Sequence, residues 1–186
     1  MLKYLYRNWK TIGAITLLLL MLGTSLGRAE DSTLSAKVDY AKSGHTLELL
    51  SELSADMPVM AIRLAGVQAP DREQKPWGPE SRQCLSELAE GWVRVEPQSL
   101  APDDYGRLWA YVWQDKQLVN AAVLAKGCAF LDSEHLSQQR YAEQLIYAQE
   151  SARLLGLGIW DPDSPLRETP MAFRQSRRDK ASDPVD

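Results

Sequence analysis

The sequence has 186 residues, of which 45% are hydrophobic. That content is enough for one domain with a packed core, and it excludes disorder over the whole chain. The formal net charge of −4 at pH 7 argues against a protein that attracts nucleic acid over its entire surface.

The first 29 residues have the pattern of an export signal. Basic residues near the start precede an apolar run over residues 12–22, and Gly27 and Ala29 are small residues of the kind found at signal-peptidase sites. The run is shorter than the roughly 20 residues of a membrane-spanning helix, so we expect cleavage after Ala29. An uncleaved membrane anchor is the alternative. In both cases we expect the domain to be exported, in the periplasm or outside the cell.

Loss of residues 1–29 removes four basic residues and no acidic ones, which leaves 17 basic and 25 acidic residues and a net charge of −8. Contacts to phosphate supply most of the nonspecific affinity for nucleic acid. A nucleic-acid site on this chain must therefore be a local cluster of cations.

Two cysteines, Cys84 and Cys128, belong to the predicted exported part. An oxidising compartment favours a disulfide between them. The alternative is that each is a small buried apolar residue, and the sequence does not decide between the two.

A polar linker is predicted over residues 30–36 and a folded domain over residues 37–163. Strand-like composition, with Leu47 and Leu49 alternating in the second segment, predicts strands at 36–40, 46–50, 59–65, 92–96 and 108–113. Helices are predicted from Pro79 to just before Gly91, from 120 to 126 with Asn120 as the N-cap, and from 137 to 155.

Five short strands interleaved with about three helices predict an α+β domain built on a five-stranded, partly open OB-type β-barrel. Spacing alone equally allows another α+β fold. After Asp163 the composition becomes polar and charged, which predicts a disordered tail over residues 164–186.

Two arginines stand where a cation is least expected for solubility alone. Arg63 lies between Ile62 and Leu64 in a predicted strand, and Arg107 directly follows the turn at residues 103–106. A guanidinium matches two phosphate oxygens with its planar fork of donors and keeps its charge at neutral pH. The alternative is a surface cation or a structural ion pair.

Several short motifs, taken in order, resemble the staphylococcal-nuclease (thermonuclease) family. The strand arginine is followed by Leu-Ala-Gly-Val-Gln-Ala-Pro-Asp up to residue 71, and Trp-Gly-Pro-Glu at residues 77–80 opens the first helix. Asp-Asp-Tyr-Gly-Arg occupies residues 103–107, and Gly-Ile-Trp occupies residues 158–160. The resemblance covers nearly the whole predicted domain.

The resemblance implies a nuclease that hydrolyses phosphodiester bonds of DNA or RNA. It assigns Arg63 and Arg107 to the scissile phosphate. Asp71 stands where the family has a glutamate that positions or deprotonates the attacking water, and it is one methylene shorter.

The resemblance also implies a calcium ion, but the expected ligands are replaced. The family's Asp-Gly-Asp-Thr turn reads Ser-Gly-His-Thr at residues 43–46, and Gln68 replaces the second ligand aspartate. Calcium prefers carboxylate oxygens, whereas imidazole suits zinc, copper, nickel or iron. His45, Gln68 and Asp71 are thus candidate ligands for another divalent ion; the alternative is that no metal binds.

Trp77, Tyr105 and Tyr111 are candidate substrate-binding residues, because aromatic side chains on an OB barrel stack on bases of single-stranded nucleic acid. Tyr111 also belongs to an alternating series with Trp109 and Trp113, which is typical of a strand face and favours core or barrel packing as the alternative.

Two functions remain open at this point. One is an exported nuclease, which the two arginines and the Tyr-Gly-Arg turn favour. The other is a noncatalytic OB-fold module that binds nucleic acid or protein, which the lost carboxylates and the charge of −8 favour.

Overall fold

A computed structural model describes residues 34–134 and 136–182 of the protein. The prediction of an export signal lies outside these residues, as do residues 30–33 of the predicted linker.

The centre of the domain is a β-barrel. Five strands close on themselves in the order β3-β2-β1-β5-β6, because β3 also pairs in parallel with β6. Strands β4 and β8 form a separate two-stranded ladder, and β7 extends β6 in a hairpin. The predicted five-stranded OB-type barrel is confirmed. The strands are β1 Leu34–Ser43, β2 Thr46–Leu49, β3 Ala61–Leu64, β4 Val67–Gln68, β5 Trp92–Pro97, β6 Arg107–Gln114, β7 Gln117–Leu118 and β8 Phe130–Leu131.

Four helices of the described residues accompany the barrel. They are α1 Trp77–Leu88, α2 Val119–Ala125, α3 Ala142–Leu154 and α4 Pro170–Ser182. The predicted helix over 137–155 is shorter in the structure, because a separate 3-10 turn forms at Leu136–Gln138 before α3 begins. No helix in the described part of the chain combines the length and apolar character needed to cross a bilayer.

The barrel interior is filled by side chains from facing strands and from the helices. Leu47, Ile62 and Leu108 are fully buried, and α2 contributes Leu124 while α3 contributes Leu145. Strand β3 is buried over its whole length, which explains the apolar residues on either side of its arginine. The core therefore surrounds the strand that carries Arg63.

Asn120 does not cap α2 as predicted. The helix begins at Val119 without a side-chain cap, and Asn120 is fully buried inside its first turn. Its Oδ1 accepts the N–H of Val112 at 2.9 Å, and its Nδ2 donates to the carbonyls of Ala65 at 2.8 Å and Ala110 at 3.2 Å. The amide gives the buried Val112 N–H and the Ala65 carbonyl a partner, and it is a second donor to the Ala110 carbonyl, which also accepts the N–H of Ala65 at 2.9 Å.

The C-terminal segment also differs from the sequence prediction of a disordered tail. Residues 170–182 form α4, whose N-cap is Thr169: its hydroxyl accepts the N–H of Ala172 at 3.2 Å. Pro170 occupies the first helical position, where its missing N–H has no cost. A Thr-Pro pair was thus the available signal for this helix, and the polar composition concealed it.

Cys84 on α1 and Cys128 after α2 form a disulfide. The two residues are 44 positions apart in the sequence, so the bond closes a long loop that contains β5, β6 and α2. The pairing that the sequence left open is therefore present.

We expect reduction of this disulfide to lower the free energy of unfolding by about 4 kcal/mol, because a loop of this length loses much conformational entropy when it is closed. Urea unfolding of the oxidised and reduced protein, followed by circular dichroism, measures the difference. A Cys84→Ala, Cys128→Ala double variant should not respond to reductant. Equal stability of the oxidised and reduced protein would contradict the prediction.

Candidate functional site

Four segments that are distant in the sequence form one pocket: the β1–β2 turn, the loop after β4, the turn before β6, and α4. Its acidic and basic lining residues are Lys42, His45, Asp71, Arg72, Arg107 and Arg174. Of the lining residues described, Asp71 alone is acidic. This arginine pocket is therefore a local concentration of positive charge on an acidic chain, which is the arrangement expected of an anion site.

The two arginines singled out from the sequence lie on neighbouring strands. Ala61 pairs with Arg107 across the parallel β3–β6 ladder, and Arg63 follows Ala61 by two residues. Side chains two residues apart in a strand point to the same face, so Arg63 and Arg107 share a face of the barrel. Arg63 itself is not part of the described pocket lining, but it stands opposite Thr46, which is.

The guanidinium of Arg63 is buried and incompletely paired. The residue is 8% exposed, its Nη2 is 4.0 Å from Oδ2 of Asp132, and its Cζ is 5.0 Å from the centre of the Trp109 ring. Its Nη1 is buried and has no hydrogen-bond partner within the described residues. Burial, followed by repulsion from Arg107, lowers the pKa of Arg63 to about 10, so the group keeps its charge at neutral pH. An anion would satisfy the unpaired nitrogen.

Asp103 holds the side chain of Arg107 in place. Its Oδ2 accepts hydrogen bonds from Nε of Arg107 at 3.0 Å and from Nη2 at 2.7 Å. Its Oδ1 accepts the backbone N–H groups of Tyr105 and Arg107, both at 3.0 Å. Gly106 completes the turn with a φ of +73°, a backbone angle that residues other than glycine rarely adopt. The turn and the ion pair therefore fix the arginine together.

The Asp103 carboxylate stays ionised in this setting. Burial alone would raise its pKa, but the hydrogen bonds from the side chain and backbone of Arg107 outweigh that effect and lower it. Indole Nε1 of Trp109 donates to the same Oδ2 at 3.3 Å. Asp103 thus links the Arg107 guanidinium to the ring that lies beside Arg63.

His45, in the β1–β2 turn, is a neutral imidazole. Burial lowers its pKa well below the ordinary value, and Arg63, Arg107 and Arg174 lower it further by repulsion. Its Nδ1 accepts the backbone N–H of Ala69 at 3.1 Å. A neutral ring has one donor and one acceptor nitrogen, so Nε2 carries the proton. His45 offers the pocket a hydrogen-bond donor.

The three metal ligands suggested by the sequence do not all line one cavity. Asp71 lines the arginine pocket, and its Oδ1 accepts the N–H of Glu73 at 3.1 Å. Gln68 pairs with Phe130 across the β4–β8 ladder and is absent from the described pocket lining. Within residues 34–134 and 136–182, no three His, Cys, Asp or Glu side chains are grouped so that they could hold a metal ion.

The aromatic candidates have three different environments. Tyr105 is 82% exposed and lines the pocket, with Cζ of Arg107 at 4.9 Å from its ring centre. Trp77 is half-buried at the start of α1 and is not part of the described lining. Tyr111 is 1% exposed, and its hydroxyl accepts the backbone N–H of Arg140 at 3.0 Å. The assignment of Tyr111 to substrate is therefore wrong, because the side chain belongs to the core.

Sequence reasoning missed Arg174. This residue of α4 lines the pocket beside His45 and Arg107, more than 60 positions after the turn that carries Arg107. Prediction of the whole segment as disordered removed it from consideration. The Thr169-Pro170 helix start could have drawn attention to the basic residues that follow.

Residues 61–162 match the family described as "Staphylococcal nuclease homologue". An uncharacterized endonuclease of Haemophilus influenzae is 29% identical over 163 residues, which cover 86% of this chain and 84% of the relative. The thermonuclease of Staphylococcus hyicus is 30% identical over 105 residues, which cover 53% of this chain and 62% of the relative. Endonuclease YncB of Bacillus subtilis is 24% identical over 145 residues, which cover 74% and 67%.

The matched segment contains both strand arginines, Asp71 and the Asp103 turn, and it spans more than half of the sequence. The barrel that carries these residues is the fold that the sequence motifs implied. This chain belongs to the staphylococcal nuclease family.

Proposed function

We propose that the protein is a nuclease that binds the phosphodiester backbone of DNA or RNA in the arginine pocket and hydrolyses it. The observation that carries the proposal is the buried, charged guanidinium of Arg63, whose Nη1 has no hydrogen-bond partner among the described residues and whose strand position shares a face with Arg107. A buried donor of this kind is costly unless an acceptor satisfies it. A phosphate oxygen is an acceptor of the right charge.

The proposed roles follow from the contacts of each side chain. Arg63 and Arg107 donate to the nonbridging oxygens of the scissile phosphate, and Asp103 keeps the Arg107 fork oriented. Water attacks phosphorus and its proton passes to the carboxylate of Asp71. The bond to the leaving oxygen breaks with its electron pair on that oxygen, which takes a proton from solvent to become a hydroxyl. The charge that develops on the phosphate meets donors that are already in place, which is how such groups accelerate a reaction.

Calcium does not fit the side chains of this pocket. Calcium takes about six to eight oxygen ligands and gains affinity from carboxylates. The described lining provides one carboxylate, Asp71, among four lysine and arginine side chains that repel a cation. His45 presents a protonated Nε2, because its Nδ1 already accepts the N–H of Ala69. We therefore propose that the family's calcium site is degenerate here, and no step of the proposed reaction uses a metal.

Replacement of either arginine should remove most of the activity. We expect Arg63→Ala and Arg107→Ala each to lower the cleavage rate by about 100- to 1,000-fold, since each loses a donor to the transition state. Cleavage of labelled single- and double-stranded DNA and of RNA measures the effect.

Arg153→Ala is a matched control, because Arg153 pairs with Glu150 in α3 and is half-exposed. Thermal unfolding shows whether each variant keeps its fold. Two folded arginine variants with the wild-type rate would end the assignment of these roles.

Calcium should have no effect on the protein. A ligand that does not bind the folded state cannot stabilise it, so the unfolding temperature should be the same in millimolar calcium and in chelator. Cleavage rates under the two conditions should agree within about twofold. A calcium-dependent rise in unfolding temperature that Asp71→Asn abolishes would instead identify a calcium site in the pocket.

A noncatalytic nucleic-acid-binding module is the second candidate. The observation in its favour is that His45 and Gln68 stand where the family has two carboxylate ligands. The resemblance implies a reaction that uses calcium, so loss of these ligands would leave a protein that binds nucleic acid without cleaving it. Binding of DNA or RNA that Arg107→Ala abolishes, with no cleavage under any condition, would select this function over the nuclease.

We also propose that the domain is exported. The basic and apolar pattern of residues 1–29 supports this, and so does the Cys84–Cys128 disulfide, because such bonds persist in oxidising compartments. In a bacterial host we expect a periplasmic or secreted protein that begins at Glu30, as measured by N-terminal mass spectrometry. A reduced, full-length cytoplasmic protein would contradict the proposal, whereas a full-length membrane-bound protein would indicate an anchor.

A further inference from the structure

We propose that Arg174 of α4 binds a backbone phosphate of the nucleic acid and acts as a third arginine of the phosphate site. The residue lines the arginine pocket together with Arg107 and Asp71. It lies beyond residues 61–162, the segment that matches the family. This inference rests on the proposed use of the pocket for nucleic-acid phosphate.

Helix α4 is attached to the wall of the pocket. Gln74, in the loop that also carries Asp71, donates from Nε2 to the carbonyl of Glu168 at 2.5 Å just before the helix. Arg177, one turn after Arg174, pairs with Glu73 of the same loop. The helix is thus held on both sides of Arg174 by residues two or three positions from Asp71, so its arginine has a defined position beside the pocket.

The surroundings of Arg174 lack the anion that an arginine normally pairs with. Among the described residues its side chain has no hydrogen bond or ion pair, although it is only partly exposed. Arg177 of the same helix, by contrast, forms an ion pair with Glu73. Arg174 instead adds positive charge to a pocket that already holds Lys42 and Arg107, and it lowers the pKa of both His45 and Arg63.

Like charges brought together in this way repel one another unless an anion is bound between them. Arg63 and Arg107 already supply two guanidinium groups for one phosphate, so Arg174 adds a cation beyond that pair. A polynucleotide provides consecutive phosphates along its backbone, and a further arginine at the side of the pocket suits a phosphate next to the scissile one. The chemistry therefore favours a chain of nucleotides over a single phosphate ester.

The test measures binding of the purified full chain to a fluorescein-labelled single-stranded 12-nucleotide thymidylate, by anisotropy at several salt concentrations in the presence of chelator. We expect Arg174→Gln to weaken binding about tenfold at low salt, since a charge-assisted contact is lost. The slope of log affinity against log salt should fall by about 0.7, the value for one phosphate contact to a single strand. Arg174→Lys should keep the salt slope but not the full affinity, because it retains the charge and loses the fork.

Arg178→Gln is the matched control, because Arg178 is an exposed arginine of the same helix and does not belong to the described pocket lining. Its affinity should stay within about twofold of wild type, since it makes no phosphate contact in this proposal. Circular dichroism confirms that α4 persists in each variant.

The outcomes separate this inference from the proposed function. Wild-type affinity in Arg174→Gln, with binding lost in Arg107→Ala, would overturn the role of Arg174 and leave the phosphate site intact. Equal losses of affinity in Arg174→Gln and Arg178→Gln would mean that only the net charge of the helix matters. That result would also overturn the role of Arg174. The expected weakening in Arg174→Gln, with Arg178→Gln close to wild type, would support the inference even if the wild-type protein cleaves nothing. No binding by wild type at low salt would reject both proposals.

Discussion

The parallel pairing of β3 with β6 is the contact on which the rest of the domain depends. It closes the barrel, and its register puts Arg63 and Arg107 on one face although 43 other residues separate them in the sequence. The buried amide of Asn120 stabilises this junction through its bonds to Val112, Ala65 and Ala110. Removal of the amide would take away its bonds to the Val112 N–H and to the Ala65 carbonyl, and a buried polar group left unsatisfied costs about 1–3 kcal/mol. The geometry of the candidate site is thus set inside the core.

The strands and the arginines could be predicted from the sequence, while several side-chain environments could not. Short segments of strand-like composition located the five barrel strands, and in β2 burial on one face shows as alternation of Leu47 and Leu49. Such a composition could not say that Tyr111 faces the core and Tyr105 the solvent, since that depends on the register with neighbouring strands. Asn120 is a residue type that often caps helices, and its position predicted that role. Its buried side-chain amide instead makes hydrogen bonds to residues that are distant in the sequence, which the sequence does not reveal.

Helix α4 shows a second limit of sequence reasoning. Composition correctly described its segment as polar, and a polar segment cannot build a core of its own. It folds as a helix here because a Thr-Pro start fixes the first turn and because Gln74 and Glu73 hold it against the domain. These anchors are single polar contacts, which no hydrophobic pattern predicts. Arg174 was therefore out of reach until the loop after β4 and the helix were seen together.

The charge distribution explains how such a pocket is compatible with an acidic protein. The net charge of −8 expected after export gives a field that repels polyanions at long range, but screening at physiological salt limits that field to about 8 Å. Inside the pocket, cations at hydrogen-bonding distance from a ligand outweigh acidic groups beyond that range. In the proposed site, guanidinium groups and a neutral imidazole donor meet the phosphate where the family pattern has calcium and its carboxylates. The proposed site thus keeps its positive charge, but side chains carry that charge instead of a metal ion. The affinity for phosphate should therefore depend on where the arginines lie. Their positions depend on the β3–β6 register and on the attachment of α4.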